Sequence, residues 1–117
     1  FMKGFVFRNS KPAIIGVRVL VGEIRKNMRL INENGKIVGK IEGIEIDKEH
    51  SIESAKKGDE VAIAIDKGVV GRNIEEGDIL YTFLSYEEIS LINEMLLDEE
   101  EREVLRYIRE IKMKESE

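Results

Sequence analysis

The sequence predicts a mainly β fold, with a small antiparallel β-barrel over residues 1–84 and an α-helical hairpin over residues 85–117. Three observations lead to this fold class. Apolar and polar residues alternate in short runs up to residue 84, with the period of β-strands. Glycine-containing turns separate these runs, with no helix between them, which is typical of a closed or nearly closed barrel. At Ser85 the apolar period changes to that of an α-helix.

The strands follow from the alternating runs in chain order. In GVRVLVGEI, Val17, Val19 and Val21 point to one side of a strand. The other runs are MRLIN (28–32), GKIVGKIEGIEI (35–46), EVAIAID (60–66) and DILYTFL (78–84). Asn34-Gly35 predicts a hairpin between the second and third runs, and Lys11-Pro12 predicts a turn or a sheet edge.

Two turns share one sequence pattern. Lys56-Lys57-Gly58-Asp59 precedes one predicted strand, and Glu75-Glu76-Gly77-Asp78 precedes another. In each turn glycine can supply a positive φ, and the short aspartate side chain can accept hydrogen bonds from nearby backbone. The pattern therefore predicts two tight turns of the same kind.

Two helices are predicted after the last strand. Ser85 and Glu88 have the spacing of a capping box, so the first helix begins at this point. Asp98 is the predicted N-cap of the second helix, with acids in its first turn, where the helix dipole favours them. The apolar stripe of the first helix comprises Ile89, Ile92, Met95 and Leu96, and that of the second comprises Val104, Leu105, Ile108 and Ile111.

The composition bounds the class of protein. The 117 residues suffice for one domain with its own core, and 37% of them are charged. No apolar run approaches the roughly 20 residues that span a bilayer, and no targeting signal precedes the first strand. Cysteine is absent, which excludes disulfides and thiolate sites.

Without a targeting signal or a membrane-spanning run, the chain is expected to be a cytoplasmic monomer without membrane contact. Abundant Ile, Glu and Lys, with no Gln, favour a thermophilic source.

The residues give little support to an enzyme. The single histidine, His50, lies in a polar stretch and is expected to be solvated. Asp47, Glu49 and His50 are metal-ligand types, but their spacing matches no known ligand pattern. Neither GxxxxGK[ST] nor GxGxxG occurs, so no phosphate-binding loop is predicted. We expect no catalytic residue, no metal site and no cofactor in this chain.

Positive charge is concentrated near the start of the chain. Residues 1–40 hold nine Lys or Arg and two acids, although the whole chain has a net charge of -5. On a small barrel such cations can gather on one rim and contact nucleic-acid phosphates. The alternative is that they pair with acids of residues 41–60 on neighbouring strands. The candidate nucleic-acid-binding cations are Arg8, Lys11, Arg18, Arg25, Lys26 and Arg29.

The helical stripes allow two interpretations. They can pack on each other and on the barrel, which is the common role of such stripes. They can also leave a groove that binds a partner peptide. The candidate partner-binding residues are Ile89, Ile92, Met95, Val104 and Ile108.

The sequence resembles a family of translation factors. GVRVLVGEIRKNMRLI has the spacing of the barrel repeat of translational GTPases, with Val19, Gly22, Ile24 and Leu30 at matching positions and Asn27 in place of the second glycine. Over nearly the whole chain, the sequence resembles the C-terminal domain, domain four, of archaeal and eukaryotic initiation factor five B, the homologue of bacterial initiation factor two. The segments that carry this resemblance are VFRNSKPAIIGVRVLVGEI, KKGDEVAIAID, VGRNIEEGDILY and the two terminal helices.

The resemblance implies a non-catalytic domain of a GTPase that promotes joining of the ribosomal subunits, with the GTPase domain absent from this chain. It implies contact with the acceptor end of methionylated initiator tRNA and docking of initiation factor one A. The bacterial G-x-E-C-G segment, which helps to recognise the formylmethionyl end, has its counterpart in Gly58-Asp59-Glu60-Val61-Ala62. Glu60 is retained and joins the candidate nucleic-acid contacts, while Val61 and Ala62 depart from the pattern. A protein-interaction module that acts only through the helices is the alternative.

Overall fold

The computed structural model describes the backbone of residues 1–116 and the side chains of residues 1–113. Nine strands precede the helical segment. They are β1 (Val6–Arg8), β2 (Ala13–Arg18), β3 (Glu23–Arg25), β4 (Arg29–Ile31), β5 (Ile37–Asp47), β6 (His50–Ile52), β7 (Ser54–Lys56), β8 (Glu60–Ile65) and β9 (Tyr81–Thr82). The predicted mainly β fold with antiparallel pairing is confirmed.

The predicted closed barrel is not found among the described residues. Seven strands form one sheet in the order β1-β2-β8-β5-β4-β9, with β6 added on β5, and no pairing joins β1 to β9. The strands β3 and β7 form a separate two-stranded sheet. Strand β9 has only two residues and β1 only three. These edge strands therefore offer few backbone groups for the hydrogen bonds that would close the sheet into a barrel.

The core is built mainly from isoleucine and valine on the inner faces of the strands. In β2 and β8 every second residue is buried, as the alternation predicts. Strand β5 pairs with both β4 and β8, and its register shifts on each side. The most completely buried large side chains are Ile15, Ile31, Ile41, Ile44, Ile65, Ile74 and Val38.

The two related turns form as predicted. Gly58 and Gly77 both have a φ of 92°. The Asp59 carboxylate accepts a hydrogen bond of 3.0 Å from the Lys56 amide, and the Asp78 carboxylate accepts one of 2.8 Å from the Glu75 amide. Asn27 has a φ of 76°, so asparagine takes the left-handed conformation expected of the glycine that it replaces.

The predicted helical hairpin is only partly correct. Helix α1 (Tyr86–Leu91) has six residues and the predicted capping box at Ser85, but it ends where Ile92 becomes extended. A 3-10 helix (Glu94–Leu96) follows, capped by the Asn93 side chain. Helix α2 (Glu99–Ser116) is the only long helix among the described residues, and Glu117 of the predicted range lies outside them. Since the Asn93 side chain caps a new helical turn, the chain does not continue as one helix through residue 96.

Helix α2 begins and packs as predicted. The Asp98 carboxylate accepts a hydrogen bond of 2.8 Å from the Glu101 amide, and the Glu101 carboxylate accepts one of 3.2 Å from the Asp98 amide. This reciprocal pair has the pattern of a capping box. Leu105, Ile108 and Ile111 are buried along one face of the helix. No described helix is both long and apolar enough to cross a bilayer.

Candidate functional site

A cavity of about 430 Å³ separates the sheet from the helical segment. Its floor is formed by strand residues of the core, such as Val17, Leu30 and Ile63. Its opposite wall is formed by α2 and by the chain just before it, with Ile92, Leu97, Val104, Leu105 and Ile108. Because most of these side chains are apolar, the cavity suits an apolar group of a ligand.

Charged side chains occur among the lining residues of this cavity. Arg18, Glu23, Asp78 and Glu101 contribute to its wall. Arg18 and Glu60 form an ion pair of 3.1 Å between their guanidinium and carboxylate groups, across the register of β2 and β8. The ion pair therefore fixes the predicted Glu60 beside a cation that lines the cavity.

An aromatic pair adjoins the cavity. Tyr81 and Tyr107 stack with their ring centroids 6.1 Å apart and nearly parallel. Tyr81 also lines the cavity. Partial burial, followed by the nearby Glu33 carboxylate, raises the pKa of the Tyr81 phenol, so this hydroxyl stays protonated at neutral pH.

The six predicted basic residues do not form one rim. Arg8 and Lys11 lie at the β1–β2 turn, and Arg18 lies at the opposite end of β2. Because a strand rises roughly 3.3 Å per residue, the two ends of β2 lie about 17 Å apart. Arg25 is paired with Glu23 at 2.8 Å, and the Arg29 guanidinium lies 4.4 Å from the centroid of the Phe83 ring. The exposed Lys26 lies between β3 and β4 and donates its amide proton to the Glu53 carbonyl.

The alternative, pairing with acids of residues 41–60 on neighbouring strands, holds for Arg18, whose partner is Glu60 on β8. Arg25 also forms an ion pair, but its partner Glu23 lies on the same strand and outside that acidic segment. The charges that sequence reasoning missed are Lys67 and Arg72, which lie in a loop beside the β1–β2 turn. Lys67 and Arg72 belong to a stretch of sequence in which acids outnumber cations. The backbone pairing of Ser10 with Val69 is what brings their loop beside Arg8 and Lys11.

The predicted partner-binding residues separate into two groups. Ile92, Val104 and Ile108 line the cavity, and Ile108 is buried. Ile89 is also buried, whereas Met95 is 87% exposed. The expected groove between two helices is therefore a cavity between helix and sheet. Met95 and Leu96 belong to the predicted stripe but are exposed, together with Leu91, which lies outside it.

The His50 side chain pairs with Asp47 in an exposed loop. Its imidazole Nδ1 lies 2.8 Å from an Asp47 carboxylate oxygen, and both side chains are exposed. The Glu49 amide, and then the His50 side chain, hold the pKa of Asp47 below its ordinary value. No group of three or more potential metal ligands is found among the residues that the structure describes.

An open antiparallel sheet with a terminal helix, and a cavity between them, is the architecture of a β-domain of translation factors. The family model for elongation factor Tu domain 4 matches residues 1–81, so the chain belongs to that family. It corresponds to the C-terminal domain of archaeal IF-2, also called aIF5B, over nearly its whole length. The matched region is domain 4 and not the GTPase domain.

Similar proteins extend over both the sheet and the helices. The chain is 49% identical over 117 residues to "Probable translation initiation factor IF-2" of Methanopyrus kandleri, covering 97% of this chain and 19% of that protein. It is 46% identical to the protein of the same description in Thermococcus kodakarensis, covering 95% of this chain and 10% of that one. The crystal structure of GDP-bound aIF5B from Aeropyrum pernix matches with a TM-score of 0.89 at 38% identity, covering 99% of this chain and 20% of that one. The chain thus spans a fifth or less of these relatives.

Proposed function

We propose that this domain contacts the acceptor end of methionylated initiator tRNA within a translation initiation factor on the ribosome. The observation that carries the proposal is the cavity between the sheet and α2. Its volume of about 430 Å³ falls within the range of about 300–1,000 Å³ that is usual for ligand pockets. The side chain of methionine is apolar and flexible, so it suits a wall made of valine, leucine and isoleucine.

The charges of the cavity wall support the same ligand. An unformylated methionyl ester carries an α-amino group, which is cationic when it is protonated. The carboxylates of Glu23, Asp78 and Glu101 line the cavity. Each already has a partner within the chain, namely the Arg25 guanidinium, the Glu75 amide and the Asp98 amide, and each keeps further acceptor lone pairs for this amino group. Arg18 lines the same cavity and can face a phosphate of the acceptor end if its ion pair with Glu60 opens. Since both side chains of this pair are more than half exposed, opening it costs little free energy.

The test is an amide-shift NMR titration with methionylated initiator tRNA, compared with the uncharged tRNA. We expect shifts in the backbone of Arg18, Glu60 and Val104 that require the methionyl ester. Equal shifts with both tRNAs would indicate a contact with phosphates alone, and would contradict a role for the cavity.

A matched pair of variants sharpens this test. Val104→Trp places a large ring in the wall of the cavity and is expected to abolish the ester-dependent shifts. Ile46→Trp adds the same ring at an exposed position on β5 and should leave them unchanged. If the two variants bind methionylated tRNA equally well, the ligand lies elsewhere.

A second contact is proposed for the surface of Leu91, Met95 and Leu96. Each of these side chains is more than 80% exposed, and all three lie close together in the chain before α2. A cluster of exposed large apolar side chains favours a protein-interaction site. Together with the implied docking of initiation factor one A, it supports a site for that factor. A titration with initiation factor one A should shift residues 86–97, and a Met95→Glu variant should lose these shifts but keep those caused by methionylated tRNA.

A further inference from the structure

Two neighbouring loops at the end of the sheet away from Arg18 form a basic surface. The first is the β1–β2 turn, and the second covers residues 66–74, after β8. They are joined by an antiparallel bridge between Ser10 and Val69 and by a hydrogen bond of 2.9 Å from the Val70 amide to the Asn9 carbonyl. We call the four exposed cations of these loops the basic loop pair; its members are Arg8, Lys11, Lys67 and Arg72.

The second loop is held in one conformation by the side chain of Asn73. Its Oδ1 accepts a hydrogen bond of 2.7 Å from the Val69 amide. Its Nδ2 donates to the Lys67 carbonyl at 3.0 Å and to the Val38 carbonyl on β5 at 3.3 Å. The backbone that carries Lys67 and Arg72 is therefore fixed to the sheet, and these cations are not on a mobile tail.

The cations of the basic loop pair outnumber the acids of the two loops. The single carboxylate there, Asp66, accepts a hydrogen bond of 2.8 Å from the Lys40 amide. No carboxylate forms an ion pair with any of the four cations among the described side chains, residues 1–113. Residues 1–22 contain no acid at all. Arg18, at the other end of β2, has a carboxylate partner in Glu60. Four cations without ion pairs on two joined loops, in a chain of net charge -5, suit a local anionic partner.

We infer that the basic loop pair binds the phosphate backbone of double-helical RNA, at a surface separate from the cavity. RNA is the polyanion that a domain of a translation factor meets. A single-stranded partner is disfavoured because such sites stack successive bases on aromatic side chains. Neither loop contains an aromatic residue, and the exposed Phe5 and Phe7 nearby, on and before β1, pack edge to face on each other rather than offering two parallel stacking faces. The contact is with backbone charge and is independent of base sequence.

The test measures binding of the 117-residue chain to a fluorescent RNA duplex without an aminoacyl end, by anisotropy over a series of salt concentrations. The Lys67→Ala/Arg72→Ala variant is expected to weaken binding and to reduce the slope of log affinity against log salt by about 1 for each cation removed. The matched control is Lys48→Ala/Arg106→Ala, which removes one lysine and one arginine from other surfaces. It should keep the slope of the unmodified chain.

Several results would overturn the inference. They are an absence of duplex binding at low salt, an equal loss in the control variant, or tighter binding of a single strand of the same length. Preferential binding of polyglutamate would point to an acidic protein instead. Because the duplex carries no methionyl ester, these outcomes are independent of the tRNA contact proposed above. That contact is judged only by its dependence on the ester and on Val104.

Discussion

Replacing Ile108 by alanine is expected to destabilise the domain, because this residue holds α2 against the sheet. Its side chain is 3% exposed and forms part of the cavity wall. The substitution removes about three methylene-sized groups, which at about 0.8 kcal/mol each gives about 2.4 kcal/mol of lost transfer free energy. Enlarging the cavity adds to this, within the range of about 2–5 kcal/mol seen for isoleucine truncation in cores.

The assay is equilibrium unfolding in urea, followed by circular dichroism. With an m-value of about 1–3 kcal/mol/M, the urea midpoint should fall by about 1–2 M. Met113→Ala is the control, because Met113 lies on the same helix and is 63% exposed. Its free energy of unfolding should change by no more than about 0.5 kcal/mol. If the two variants were equally stable, α2 would not pack through this face, and Ile108 would be available to a partner after all.

Three further predictions concern a cap, a turn and an ion pair. Ser85→Ala should cost about 1 kcal/mol of unfolding free energy. The Ser85 amide and hydroxyl lower the pKa of Glu88, so this carboxylate contributes stability above its ordinary pKa of about 4.3. That contribution is lost as the pH falls through the lowered pKa that Glu88 has in the folded protein. Glu88→Gln should remove this pH dependence in urea titrations at several pH values. Asn27→Gly should be nearly neutral, whereas Asn27→Val should cost about 1–2 kcal/mol in thermal unfolding, since valine resists a φ of 76°. Arg18→Ala should change the unfolding free energy by less than about 1 kcal/mol, because its pair with Glu60 is exposed; a larger loss would mean that the pair has a structural role.

Local features of the fold were predictable where one short segment determines them. The two Gly-Asp turns, the Ser85 cap and the Asp98 cap depend on side chains within four residues of the backbone that they bind. The Asn34-Gly35 hairpin was predicted less well. Gly35 has the expected positive φ, but the Asn32 side chain accepts hydrogen bonds from the amides of Asn34 and Lys36 and widens the turn.

Periodicity predicted neither the end of α1 nor the open edge of the sheet. Helix α1 ends at Leu91 because the nearby Asn93 caps a separate turn, although Ile92 and Met95 continue the apolar spacing. Sheet closure depends on whether two remote edges meet, which alternation within strands does not specify. The positions of the cations likewise follow from how the strands pair: Arg8 ends β1 beside the start of β2, whereas Arg18 lies at the far end of β2.

The short segment from Leu91 to Leu97 belongs to both proposed contacts. Ile92 and Leu97 line the cavity, while Leu91, Met95 and Leu96 are exposed. A ligand that rearranges this segment from the cavity side changes the surface offered to a protein, and the reverse is equally true. Thermodynamic linkage then requires each ligand to alter the affinity of the other by the same factor. The segment would thus couple the binding of one partner to the binding of the other.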